Sequence, residues 1–274
     1  MSLEKYVSFA TKSFSLPDIC IRIRTLLDDP CSSANDIGEL ISLDSSLSAK
    51  VLRLANSSLF RFPSQVDSIA KAVNIIGGEA LYNIVVAETA NSAFRYFDTQ
   101  LINLDKHWFE SVYCGIVGKY LARASKIRGS ERFFAMGILQ NLSELVVAKR
   151  SPELYKNYLE QETDMQLEER QIAHFGFTFS NCSGNILENW KLPLVLYYPV
   201  MHANDVGRQA SDRDIALLAL ATKITAIQQS KKSIDDIELF SEDEANSIDV
   251  DMYDIANAIK YADRETAKIS MLIH

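Results

Sequence analysis

The stretch from Arg132 to Lys149, RFFAMGILQNLSELVVAK, constrains the fold of this chain more than any other. Its apolar residues recur at the spacing of a helix that is buried on two adjoining faces. The neighbouring pair Gln140 and Asn141 interrupts these apolar faces. Because a buried amide without a hydrogen-bond partner costs roughly 1–3 kcal/mol, both side chains need partners in the core. The sequence therefore predicts one buried helix whose two amides pack against neighbouring groups.

Glycine and proline are scarce, with 10 and 6 residues among 274, while 47% of the residues are apolar. This composition is typical of a compact, mostly helical protein. A chain of this length can bury a substantial core in one large domain or in two closely joined domains. Two of the few glycines, Gly115 and Gly118, fall in a helical segment and would permit a neighbouring helix to approach closely. The composition and the apolar spacing together predict an all-α fold.

Short local signals predict where some of the helices begin and end. Ser33 is an expected N-cap with Asp36 three residues later, and Ser68 is a second N-cap. Pro30 ends the preceding helix, because proline disfavours the helical conformation in the residue before it. The Gly-Gly pair that starts at Gly77 predicts a helix stop, since glycine readily adopts a left-handed conformation.

The net charge of the chain is -8 at pH 7, and its sequence pI is near 5.1. A strongly acidic surface repels phosphate backbones, so we expect no nucleic acid among the partners. The longest apolar run, from Ile215 to Thr222, ends at Lys223 and is too short to cross a bilayer. We therefore expect no membrane segment.

The four cysteines are widely spaced and form no C-x-x-C pair; they are Cys20, Cys31, Cys114 and Cys182. The first residues lack the charged-then-apolar pattern of a secretory signal peptide. We therefore expect reduced thiols in a cytoplasmic protein, most of them packed as small hydrophobic side chains.

Two parts of the chain carry a specific pattern of residues. The first consists of Asp44, Leu47, Leu54, Ala55, Asn56, Ser57, Ile69, Ala72, Ile76, Gly77 and Leu81. The second consists of Leu187, Trp190, Leu192 and Pro193. In this order the residues resemble the HDOD (HD-related output domain) family, and the resemblance extends from about Leu16 to Thr225. A generic helical bundle would explain each apolar position but not their order.

The resemblance implies an HD-domain-like bundle in two closely packed helical halves. We place the N-terminal half at residues 1–98 and the second half at residues 99–274, which ends in an acidic loop and a closing helix. HDOD proteins are bacterial and are thought to serve as output or adaptor modules in signal transduction. The resemblance thus implies a regulatory module that acts through protein–protein interaction.

HDOD domains are related to the HD superfamily of metal-dependent phosphohydrolases, in which a helix of the form GLLHD holds the metal through its His and Asp. Here Gly137, Ile138 and Leu139 are followed by Gln140 and Asn141. A carboxamide offers neither the charge of a carboxylate nor the donor strength of an imidazole. The resemblance puts the vestigial metal-site positions at Glu110, Gln140, Asn141, Phe179, His202 and Thr222. We therefore expect no metal, no cofactor and no catalysis.

Two other functions are compatible with these positions. Glu110 and His202 could together bind a divalent ion in a phosphohydrolase with substituted ligands. Because two ligands without the central pair are too few, a satisfied polar pair or unrelated surface groups is the favoured interpretation of these two residues. A polar cavity lined by Glu110, His202 and the two amides could instead bind a nucleotide or another small molecule, unless a filled core with paired amides takes its place. The sequence contains no G-x-S-x-G, H-E-x-x-H, G-x-x-x-x-G-K or G-x-G-x-x-G pattern that would indicate another chemistry.

An interaction surface should expose an apolar patch. Phe60, Arg61 and Phe62 are our first candidates for such a surface, and the C-terminal segment from Met271 to Ile273 is a second. The expected partner is a protein of a signalling pathway, and a second copy of the chain in a homodimer is a further candidate.

Overall fold

The structure is a computed structural model, and it describes residues 2–60, 65–161, 165–230 and 248–273. Every regular element in these ranges is a helix, and none of the described residues lies in a strand. The predicted all-α fold is therefore confirmed. None of the described helices is by itself long and apolar enough to span a membrane, whereas two consecutive helices bent by 118° meet that criterion as a pair.

The helices fall into two groups, separated by a connector at 97–103. The first group is α1 (Leu3–Ser13), α2 (Asp18–Asp28), α3 (Ala34–Ser42), α4 (Ser45–Ala55), α5 (Ile69–Ile76) and α6 (Gly78–Tyr96). The second group is α7 (Leu104–Ala124), α8 (Arg132–Leu139), α9 (Leu142–Arg150), α10 (Pro152–Glu160), α11 (Leu167–Phe175), α12 (Phe179–Asn189), α13 (Leu194–Met201), α14 (Val206–Gln209), α15 (Arg213–Ser230) and α16 (Met252–Ile273). The bent pair mentioned above is α5 with α6.

The central element of the second group is α7, and most of its residues are buried. Helices α8, α15 and α16 all pack against it. A helix that is covered on several sides can carry polar groups only where neighbouring helices supply partners for them. The polar residues of α7 therefore mark the place to look for a site.

Helix boundaries in the first group follow the predicted local signals. At the start of α3, Ser33 Oγ accepts from the backbone N–H of Asp36 at 3.4 Å, and the Asp36 carboxylate accepts from the backbone N–H of Ser33 at 2.6 Å. At the start of α5, Ser68 Oγ accepts from the backbone N–H of Lys71 at 3.3 Å. Gly77 separates α5 from α6 with a φ of 88°, a conformation that glycine adopts without strain. These predicted helix ends are confirmed.

The prediction of a single helix over 132–149 is wrong. The structure divides this stretch into α8 and α9, with Gln140 and Asn141 at the break. Asn141 has φ and ψ of -97° and 7°, outside the helical region. Ser143 follows in the first turn of α9, where backbone N–H groups have no intrahelical acceptor, and its N–H donates to Ser183 Oγ on α12 at 2.9 Å. A tertiary contact thus stabilises a break that no local signal predicts.

Helices α7 and α8 approach each other so closely that no side chain fits between them. A Cβ atom on Gly137 would lie 2.4 Å from the backbone nitrogen of Gly115, and a Cβ atom on Gly115 would lie 2.6 Å from the carbonyl oxygen of Phe134. The predicted role of Gly115 in a close approach is confirmed. At Gly118, by contrast, the nearest atoms to an added Cβ lie at 3.6 Å, which is an ordinary van der Waals distance.

Helix α1 packs against α9 and α12 of the second group. The buried Tyr6 hydroxyl donates to Ser151 Oγ at 3.1 Å. Just after α1, the carbonyl of Phe14 accepts from Trp190 Nε1 at 3.1 Å. One continuous hydrophobic core therefore joins helices from before and after the connector, and the division at residue 98 stays a prediction.

Candidate functional site

Three polar side chains, Cys114, Gln140 and Thr222, meet in the core of the second group of helices, and we refer to them as the amide triad. Gln140, at the break between α8 and α9, donates from Nε2 to Cys114 Sγ on α7 at 2.7 Å. Its Oε1 accepts from the hydroxyl of Thr222 on α15 at 2.8 Å. Gln140 is only 1% exposed, and these two hydrogen bonds satisfy both ends of its amide with protein groups. The partners that its burial requires come from two other helices.

The amide triad carries no charge at neutral pH. Burial raises the pKa of the Cys114 thiol to about 11, so the sulfur stays protonated, and the other two groups are an amide and a hydroxyl. The catalytic sites of zinc and other transition metals are built mainly from carboxylate oxygens, imidazole nitrogens or thiolates. Across the described ranges, no three His, Cys, Asp or Glu side chains are placed to hold a metal ion together. The residues at this centre do not fit the metal that the superfamily uses.

A second polar cluster lies one to two helical turns before the amide triad on α7. His107 Nδ1 is 3.5 Å from one carboxylate oxygen of Glu144 on α9, and the other oxygen accepts from the Tyr155 hydroxyl on α10 at 2.7 Å. Glu110 belongs to the same cluster: burial raises the pKa of its carboxyl, while the charges of Lys106 and His107 oppose that rise. We call His107, Glu110, Glu144 and Tyr155 the His107 cluster.

Two buried atoms on α7, His107 Nε2 and Ser111 Oγ, have no hydrogen-bond partner among the residues that the structure describes. His107 is 5% exposed and Ser111 is 0% exposed. Residues four apart lie on the same face of a helix, and Cys114 continues that face. A polar stripe therefore runs along buried α7 from the His107 cluster to the amide triad.

Phe179 and Asn141 have surroundings of a different kind. The Phe179 ring packs among aromatic side chains, with centroid distances of 5.8 Å to Tyr158 and 5.5 Å to Phe175. Asn141 is half-buried at the helix break, where its carbonyl accepts from the backbone N–H of Glu144 at 3.2 Å. Phe179 thus serves as a core residue of an aromatic cluster.

His202 lies directly after α13, where its ring centroid is 4.6 Å from that of Tyr198. Burial, reinforced by the charge of Arg208, lowers the pKa of His202, so its neutral form is favoured. Of the six positions that the resemblance predicts for a vestigial metal site, Gln140 and Thr222 are hydrogen-bonded to each other. Glu110 belongs to the neighbouring His107 cluster, and the contacts of His202 lie elsewhere.

Of the three residues predicted to form an interaction surface, Phe60 lies within the described part of the chain. It is half-buried, and the ammonium group of Lys119 lies 3.7 Å from the centroid of its ring. Arg61 and Phe62 lie outside the described residues. In the second candidate surface, the Met271 side chain is 79% exposed.

Sequence reasoning predicts Cys114 only as a packed thiol and does not single out Glu144 or Tyr155. One available signal is the spacing of His107, Ser111 and Cys114, which puts three polar or small side chains on one face of an apolar helix. Such a stripe indicates that the facing helices must supply polar partners. The identity of those partners depends on how the helices pack.

Comparison with known proteins gives one match to a family and one to a curated relative. The family model of the HDOD domain matches residues 14–206. An uncharacterized protein from Treponema pallidum (strain Nichols) is 27% identical over 188 residues, which is 65% of this chain and 35% of that protein. The chain therefore spans about a third of the length of that relative.

Solved structures share the fold of the whole chain. A candidate phosphohydrolase from Shewanella amazonensis SB2B has a TM-score of 0.75 at 19% identity, with 98% of each chain covered. An HDOD domain protein of unknown function from Geobacter sulfurreducens has a TM-score of 0.73 at 18% identity, covering 99% of this chain and 98% of that one. At such identities the likeness shows the fold alone. Because the family model matches well over half of its residues, this chain belongs to the HDOD family, which is related to the HD phosphohydrolases.

Proposed function

We propose that this chain is a regulatory module of a signal-transduction pathway that acts through protein–protein interaction and has no phosphohydrolase activity. The amide triad is the observation that carries the proposal. Gln140 and Thr222, which the resemblance to the HD superfamily puts at two of its metal-binding positions, are hydrogen-bonded to each other. Oxygen atoms that are engaged in this hydrogen bond are not available as ligands of a metal ion.

The energetics of the amide triad oppose metal binding. An entering ion would have to displace the hydrogen bonds that Gln140 makes to Cys114 and Thr222. It would also lose its hydration shell without gaining an anionic ligand, which makes burial of its charge strongly unfavourable. Hydrolysis further requires open coordination positions for water and substrate, and Gln140 is almost completely shielded from solvent.

The alternative of a phosphohydrolase with substituted ligands depends on Glu110 and His202. The Glu110 carboxylate lies 3.6 Å from Lys106 and interacts with the His107 cluster. His202 interacts with Tyr198 and Arg208. These separate surroundings favour two local polar contacts over one shared ion, and therefore support the non-catalytic function.

We expect the purified protein to retain substoichiometric manganese after incubation with Mn²⁺ and removal of free metal. It should also fail to hydrolyse bis(p-nitrophenyl) phosphate above the buffer rate, because the amide triad supplies no charged ligand. Elemental analysis and a colorimetric assay measure the two quantities. A Gln140→Leu variant is the control for contaminating enzymes. Stoichiometric manganese or hydrolysis that disappears in this variant would contradict the proposal.

The interaction surface of the proposed module remains the segment of Phe60, Arg61 and Phe62, with a signalling protein as the partner. This assignment rests on sequence for Arg61 and Phe62. For Phe60, the half-buried ring is held against Lys119, so only part of it can contact a partner. Phe62 is therefore the sharper position at which to test the surface.

We expect Phe62→Ala to reduce capture of the partner in a pull-down by roughly tenfold or more, because truncating a central aromatic anchor typically costs about 2 kcal/mol. Leu43→Ala is the matched control, since Leu43 is a 78% exposed apolar residue far from this segment in sequence. Circular dichroism verifies that both variants fold. Equal capture by both variants and the parent protein would show that the surface lies elsewhere.

A further inference from the structure

A pocket of about 350 Å³ lies between α7 and α16, beside the chain that leaves α4. Leu59 and Ile116 form apolar parts of its wall. Pockets for small molecules typically enclose roughly 300–1,000 Å³ and combine apolar walls with a few polar groups. The pocket is near the C-terminal end of α7, and none of the three residues of the amide triad lines it.

Among the described residues that line the pocket, cationic side chains outnumber carboxylates. Lys119 and Arg123 line it on the cationic side, and among the described lining residues Asp254 is the one carboxylate. Lys119 is 6% exposed and donates to the carbonyl of Leu59 at 2.8 Å, which fixes its ammonium group at the pocket wall. The Arg123 side chain is exposed and makes no ion pair within the described chain. In a protein with a net charge of -8, such a cationic pocket favours an anionic ligand.

Two aromatic rings complete the pocket. Tyr120 on α7 and Tyr261 on α16 have ring centroids 5.6 Å apart and planes inclined by 39°. The Tyr261 hydroxyl donates to the carbonyl of Ser58 at 2.6 Å, so this ring is held in place. Aromatic faces next to cations bind planar ligands by stacking, while the cations bind the charge of the ligand.

We infer that this pocket binds a small molecule in which a planar aromatic ring carries an anionic group, such as a mononucleotide or an aromatic carboxylate. The ring stacks on the half-buried Tyr120, which packs against the buried ring of Tyr261. The anionic group pairs with Arg123, which no carboxylate of the described chain engages, and with the ammonium group of Lys119. This ligand site is independent of the proposed function and of the vestigial metal positions.

The pocket also lies at a contact between the first and second groups of helices. Ser58 Oγ donates to Glu265 on α16 at 2.7 Å, in addition to the bond between the Ser58 carbonyl and Tyr261. Leu59 accepts from Lys119 on α7. A ligand in the pocket contacts both sides of this junction, so its binding stabilises the position of the segment that continues into Phe60.

The test is a thermal-shift titration of the full chain with AMP and, separately, with 4-hydroxybenzoate. Adenosine supplies the ring without the charge, and inorganic phosphate supplies the charge without the ring. At about 100 times its Kd, a ligand should raise the Tm by several degrees, and we expect this of at least one of the two aromatic anions. Adenosine and phosphate should each give a much smaller shift.

Arg123→Ala should abolish most of the shift, and Tyr120→Leu should reduce it, each measured against the variant's own Tm. Arg128→Ala is the matched control, because Arg128 is an exposed arginine near the same end of α7 that does not line the pocket. A response to AMP alone identifies a phosphate ligand, and a response to 4-hydroxybenzoate alone identifies a carboxylate. No shift with either compound at millimolar concentration, or an equal shift in Arg123→Ala and Arg128→Ala, would overturn the inference.

Discussion

Replacing Gly137 by alanine is expected to lower the Tm by about 5–10 °C, one of the two largest effects that the structure predicts. The added Cβ would lie 2.4 Å from the nitrogen and 2.5 Å from the Cα of Gly115, both of them backbone atoms that cannot rotate away. Overpacking of this kind typically costs about 1–3 kcal/mol and occasionally more. The gain in helix propensity, at most about 1 kcal/mol, offsets only part of that cost. Because the clashing atoms are backbone, we place the cost at about 3–4 kcal/mol, at or above the upper end of that range. The net loss of about 2–3 kcal/mol corresponds to the stated change in Tm for a domain of this size.

The control for this substitution is Gly118→Ala in α7. Gly118 also faces a neighbouring helix, but an added Cβ would find its nearest atoms at 3.6 Å. This variant should be as stable as the parent or slightly more stable, because alanine favours the helix. Urea denaturation measures both variants on one scale. If Gly137→Ala and Gly118→Ala have the same midpoint, α7 and α8 do not approach as closely as the structure has them.

Features that depend on neighbouring residues in the chain could be predicted from the sequence. The caps at Ser33 and Ser68 and the stop at Gly77 are local, since each involves a side chain or a φ angle within three residues of the helix end. The close approach at Gly115 was predictable as well, because a glycine in the interior of a helix has a packing reason more often than a local one. The all-α fold follows from many such local signals acting together.

Features that depend on packing between distant residues could not be predicted in the same way. The break at Gln140 is stabilised by a hydrogen bond from the backbone N–H of Ser143 to Ser183 Oγ, and these two residues lie forty positions apart in the chain. The partners of Gln140 come from residues 26 positions earlier and 82 positions later in the chain. The periodicity of 132–149 is the same whether the helix is continuous or broken, so it could not reveal the break.

The types of residue at this centre, unlike their partners, can be read from the sequence, in which two amides follow Leu139. Chemical type is a local property, and carboxamides and hydroxyls are poor substitutes for carboxylate and imidazole ligands wherever they lie. What the structure adds is that Gln140 and Thr222 are neighbours and that Cys114 completes their hydrogen bonds. The amide triad is thus a centre filled by protein groups, in which Gln140 is hydrogen-bonded to both of the other residues.

Introducing a charge into the filled centre should have the other large effect. Gln140→Glu keeps the size of the side chain but puts a carboxylate where the side chain is 1% exposed. An unpaired buried charge typically costs about 3–5 kcal/mol, so we expect the variant to lose that much stability at pH 8. Its hydrogen bond from Thr222 persists, whereas the N–H donor to Cys114 is lost. Gln140→Leu is the control, because it removes the hydrogen bonds of the amide without adding a charge.

The dependence on pH separates loss of hydrogen bonds from burial of charge. Burial would raise the folded-state pKa of the new carboxyl above its unfolded value of about 4.3, so the charge penalty is absent below that pH. As the pH rises from the unfolded pKa to the folded pKa, the penalty grows by about 1.4 kcal/mol per pH unit. The urea midpoint of Gln140→Glu should therefore fall further below that of the parent at pH 8 than at pH 5. For Gln140→Leu, the difference from the parent should be the same at both pH values. A pH-independent Gln140→Glu variant would show that water reaches the centre, and recovery of its stability by Mn²⁺ would show that an ion can be held there.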